Sequence, residues 1–123
     1  MAAALMEGGD SAVAEQTTQQ KADQFFERYA AALLARDESA VSRLYAVPSL
    51  IVFPGRLLAV TDEGQTRAFF ASAWDQYEGV QDMEKQVRVM AEAPGTVWAD
   101  VTWSRHGRER ERFCYQLVDV AEG

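Results

Sequence analysis

One cysteine and one histidine in 123 residues leave too little material for two classes of site. Cys114 alone cannot form an internal disulfide, and with His106 it cannot assemble a zinc-type ligand set. A lone thiol fits a reducing compartment, so the expected location is the cytoplasm. Basic residues are also scarce: 12 Lys and Arg stand against 19 Asp and Glu, for a formal net charge of −7. A nucleic-acid groove or a docking surface for anionic lipid needs the opposite balance, so neither a nucleic acid nor a membrane is expected as partner. No apolar run approaches the roughly 20 residues of a membrane helix. The opening MAAALMEGGD has no basic segment ahead of its short apolar stretch, unlike a signal peptide.

What is present is 48% hydrophobic and 11% aromatic, enough for one core in a chain of this length. Residues 1–17 are small or polar, without period, and interrupted by Gly8-Gly9, so a disordered tail is expected there. Residues 18–123 read as a single domain. Thr17 and Gln20 have capping-box spacing. From there Ala22, Phe25, Phe26, Tyr29, Ala30, Leu33 and Leu34 recur at three and four, the stripe of an amphipathic helix. Asp37 can cap a short second helix ended by Pro48, with Val41, Leu44 and Tyr45 on one side. Two short runs, Ser49–Phe53 and Leu57–Val60, flank Pro54-Gly55 and predict a hairpin. Asp62 and Gln65 open a third helix with a stripe of Phe69, Phe70, Ala73, Trp74 and Tyr77, ending near Gly79. Three strands follow at about 80–92, 96–105 and 108–120, with turns at Pro94-Gly95 and His106-Gly107. This order is α+β: three helices on one face of an antiparallel sheet.

Each late strand divides into two rows, and neither row of the last strand is simply polar. The helices can cover one face. The other, with Trp98, Phe113, Tyr115 and Leu117, is expected to be a partner surface, most simply that of a homodimer.

The phrases RYAAALLARD, the Pro-Gly turn after the first strand, RAFFASAW and the His-Gly-Arg hairpin resemble the nuclear-transport-factor-2-like superfamily over about residues 20–120. That superfamily includes ketosteroid isomerases and SnoaL-like cyclases. The resemblance implies a cone-shaped, curved antiparallel sheet whose concave face is roofed by three helices. It also implies a further strand after Ala121-Glu122-Gly123, so the final strand is expected to be missing. Its place would be left open, filled by the N-terminal tail or filled by a neighbour, or the sequence would be a fragment. On the isomerase layout Tyr29 falls at the oxyanion-donating phenol and Gln116 near the second donor. Phe53, before Pro54, falls on the general-base aspartate, and a phenylalanine cannot take a proton.

The resemblance therefore implies a cofactor-free pocket for a small, mostly apolar molecule. Its expected walls are Phe26, Phe53, Phe70, Trp74 and Trp103, with Tyr29 and Gln116 as polar handles and Arg112 at the mouth. Two other readings stand beside it. One is a lyase, isomerase or cyclase with a rearranged acid–base set, drawing a carboxylate from Asp100 or Asp119. The other is an assembly module whose cone is filled by its own side chains.

Overall fold

The computed structural model describes residues 2–7, 17–105 and 109–120. Strand β1 (Ala2–Glu7) is followed by helix α1 (Thr18–Leu34), helix α2 (Glu38–Arg43) and the hairpin β2 (Ser49–Phe53) with β3 (Arg56–Val60). Helix α3 (Glu63–Ala71), one 3-10 turn (Trp74–Tyr77) and strands β4 (Glu84–Ala93), β5 (Thr96–Arg105) and β6 (Glu109–Val120) complete it. From α1 onward the α+β order read from the sequence is the observed one.

Local chemistry sets most of the boundaries. Thr17 caps α1: its hydroxyl accepts from the Gln20 N–H at 3.1 Å, and Gln20 Oε1 accepts from the Thr17 N–H at 2.9 Å. Asp62 and Gln65 repeat the device at α3. Asp37 caps α2 by accepting from the Ala40 N–H at 3.0 Å. The third helix is shorter than its stripe predicts. Ser72 turns its hydroxyl back onto the Phe69 carbonyl at 2.7 Å, and the chain continues as the separate 3-10 turn.

All six strands form one sheet in the order β3-β2-β1-β6-β5-β4. Phe53 opposite Arg56 and Ala93 opposite Thr96 close two-residue turns, where Gly55 and Gly95 supply φ of 75° and 78°. The edge of β4 is covered by α1. The Gln19 side chain donates to the Val87 carbonyl at 2.8 Å and accepts from the Val89 N–H at 3.1 Å, as a neighbouring strand would.

The N-terminal segment departs from expectation. Ala2–Glu7 is not a disordered tail but a strand between β2 and β6, parallel to β6 from Ala2 opposite Tyr115 to Glu7 opposite Val120. It occupies the place of the strand expected to be missing. The reason is ladder satisfaction: without β1, the β6 backbone groups on that side would lack partners in the middle of a sheet. Residues 8–16 of the expected tail, and the expected turn at His106-Gly107, lie outside the described residues.

Arg36 makes the corner after α1. It has φ of 51°, in the left-handed region that costs a side-chain-bearing residue about 1–2 kcal/mol. Its guanidinium holds the corner by donating to the carbonyls of Leu34 at 2.6 Å, Val80 at 3.0 Å and Tyr77. Arg36→Ala should lower stability by about 2 kcal/mol, since it loses charge-assisted bonds and keeps the strained backbone. Arg36→Gly should cost about 1 kcal/mol less, because glycine relieves the strain. Urea unfolding of both variants checks this, and equal losses would remove the backbone part of the argument.

Candidate functional site

A cavity of about 500 Å³ lies between the helices and the sheet. From the helical side it is lined by Tyr29 and Leu33 of α1, Tyr45 just after α2, and Phe69 and Phe70 of α3. One wall is the hairpin, through Ile51, Phe53 and Arg56, and the opposite wall is Trp103 of β5 with Glu111, Phe113 and Tyr115 of β6. These β6 residues share a face with Trp103 because Glu111 sits opposite Trp103, Phe113 opposite Val101 and Tyr115 opposite Ala99.

The polar floor is a group of phenols. The hydroxyls of Tyr29 and Tyr45 are 2.5 Å apart, and the Trp103 indole N–H donates to the Tyr115 hydroxyl at 3.0 Å. All three phenols are buried, at 3–4% exposure. Burial pushes the pKa of each above its ordinary value, and the neighbouring hydroxyls add to the shift at Tyr29, whereas hydrogen bonds from Trp103 and Tyr29 oppose it at Tyr115. They are neutral donors at physiological pH.

Of the residues expected at the site, Tyr29, Phe53, Phe70 and Trp103 line the cavity. Phe26 stands behind it, fully buried, with its ring edge-to-face on Tyr115 at 4.9 Å and on Trp103 at 6.2 Å. Trp74 packs beside Phe70 and donates its indole N–H to Glu38 Oε1 at 2.9 Å, outside the lining. Arg112 and Gln116 do not face the cavity. Arg112 lies on the far face of the sheet and grips Asp100 in a fork at 2.8 and 2.6 Å, while Arg88 approaches the same carboxylate at 3.2 Å. The hydrogen bonds and charge of Arg112 hold the Asp100 carboxyl below the usual carboxylate range. Gln116 donates to the Thr96 hydroxyl at 3.0 Å.

The expected dimer surface is corrected by the same register. Tyr115 and Leu117 are buried inside and Phe113 packs against Phe53, so of the four residues named for that surface only Trp98 belongs to the far face. Asp100 is likewise fixed outside, away from any cavity chemistry.

Sequence reasoning passed over Tyr45, Tyr115, Arg56 and Glu111. The signal for Tyr45 was there: it shares the apolar side of the second helix with Val41. Where the isomerase layout would put its base, Phe53 stacks on Phe69 at 5.6 Å and meets the edge of Phe113 at 5.7 Å. The carboxylate among the described lining residues is Glu111, exposed at the mouth. Among the described residues no three His, Cys, Asp or Glu side chains gather to hold a metal ion, and no helix is long and apolar enough to cross a membrane.

The sequence of residues 18–119 matches a family described as NTF2-like protein (DUF6841). The chain belongs to this NTF2-like family. No curated protein matches it. The NTF2-like fold here places the Tyr29 phenol of α1 at the cavity. In this NTF2-like chain that phenol is backed by two more tyrosines and a tryptophan.

Proposed function

We propose that the protein binds a small, mostly apolar molecule through a hydrogen-bond acceptor, a carbonyl-type oxygen, set against the phenol floor. The supporting observation is the direction of the bond from Trp103 to Tyr115. An indole nitrogen can only donate, so the Tyr115 oxygen accepts and its own proton is left for another partner. Between Tyr29 and Tyr45 one hydroxyl donates and the other keeps its proton in the same way. Tyr29 also reaches the Tyr115 hydroxyl, so two of the three phenolic protons are shared within the group and one is left for the cavity. A carbonyl oxygen, which can only accept, suits such a donor. The volume of about 500 Å³ is within the usual range for small-molecule sites and speaks against a cone filled by its own side chains.

A fluorescent naphthyl ketone such as Prodan tests this by titration. Binding is expected with a blue-shifted emission, and Tyr115→Phe should weaken it about five-fold, the net worth of one neutral hydrogen bond at ~1 kcal/mol. Unchanged affinity in both Tyr115→Phe and Tyr45→Phe would remove the acceptor from the proposal.

Glu111 favours a second reading, an enzyme that moves a proton next to a carbonyl. Its carboxylate lines the same cavity as the donors, which Asp100 does not. A bound ketone should then exchange its α-hydrogens with D₂O, followed by NMR. Exchange no faster than in buffer, or exchange unaffected by Glu111→Gln, would leave binding alone.

A further inference from the structure

Among the described residues, β1 is the one strand that joins the β2–β3 hairpin to the β6-β5-β4 part of the sheet. The join is lopsided. β1 follows β6 for six residues but meets β2 only where Ala2 stands opposite Ile51. Ala2 also stands opposite Tyr115, so this contact lies in the row whose flanking residues, Ile51 and Tyr115, both line the cavity. The sequence of β1, AAALME, is composed of helix-favouring residues, with no β-branched or aromatic side chain. Its extended form is imposed by the neighbouring backbones rather than chosen by its own residues.

We propose that β1 is a releasable strap over the cavity wall. Docked, it closes the sheet between Ile51 and Tyr115. Released, it leaves the hairpin tied to the rest of the sheet by side-chain contacts such as Phe53 with Phe113, and the wall parts at that seam. A molecule touching both walls favours the docked strap, by linkage a docked strap binds it more tightly, and the closed seam slows its passage. That second step rests on the binding reading above, whereas the release of the strap does not.

Hydrogen exchange on the full chain, without any ligand, tests the release. The amides of β1, and those of β6 that point toward β1, should exchange at least about 100-fold faster than the β5 ladder, through an opening short of global unfolding. A disulfide between the register partners Ala3 and Gln116, made as Ala3→Cys with Gln116→Cys in a Cys114→Ser background, should bring them to the β5 rate. Equal protection of both ladders in the unlocked protein overturns the strap. Prodan then reads the gating: locking should slow both uptake and release, restored by reductant. Binding with rates indifferent to the lock overturns the gate, while absence of any Prodan binding counts against the pocket reading and leaves the exchange result to judge the strap.

Discussion

Raising the pH from about 8 to about 11.5 should unfold the protein in a steep transition in which three phenols ionise together. In the unfolded chain a tyrosine titrates near 10, whereas burial holds Tyr29, Tyr45 and Tyr115 above that value in the fold. A raised folded pKa means that the stabilisation is complete below the unfolded pKa and is lost as pH climbs past it. Each phenol contributes up to about 1.4 kcal/mol per pH unit, so the three together give about 4 kcal/mol per unit. From about pH 10 to about 11.5 the loss is about 6 kcal/mol, enough to exhaust the lower part of the about 5–15 kcal/mol typical of a domain. Absorbance at 295 nm and circular dichroism, followed together, check it: phenolate should appear as the fold is lost. Tyr115→Phe should flatten the slope by about a third. Phenolate formation centred near pH 10 with an unchanged dichroism spectrum would show that the hydroxyls are open to water.

Phe26→Ala should cost about 3–5 kcal/mol, the range for emptying a fully buried aromatic site. Its ring lies within 5–6 Å or so of four others, Phe25, Tyr29, Trp103 and Tyr115, so its loss removes the backing of the phenol floor as well as apolar area. Trp74→Ala, at a half-buried site beside the roof, should cost less than half as much. Urea unfolding of the two variants gives the comparison, and similar losses at both positions would mean that the core is not centred where Phe26 stands.

Helices and hairpins were legible because their signals are local. Thr17 with Gln20, Asp62 with Gln65 and the two Pro-Gly turns each act over a few residues, and each appears where its spacing says. The face of β6 was not legible, and one residue decides it. A turn made of His106-Gly107 alone would pair residue 105 with 108 and turn Arg112, Cys114 and Gln116 toward the cavity. The observed register pairs Arg105 with Glu109, leaving three residues between them, and a one-residue change sends every side chain to the opposite face. That slip accounts together for Arg112, Gln116 and the dimer surface. The rows of β5 were read correctly because its two-residue turn to β4 is the one the sequence announces. Strand β1 was legible only as one of several fillers of the missing strand's place, because AAALME carries no strand preference and its partner lies at the other end of the chain.

The pairing of Ala2 with Tyr115 has a consequence for how the molecule comes to be made. Its two halves are separated by nearly the whole chain, so closing that loop is the entropically dearest contact in the fold and among the last to form. During synthesis the segment that becomes β1 leaves the ribosome well before β6 and waits for it. Meanwhile the hairpin and helices can assemble locally, with the seam beside β6 still open. A nascent chain is thus the form in which the aromatic wall of the cavity stands exposed for longest.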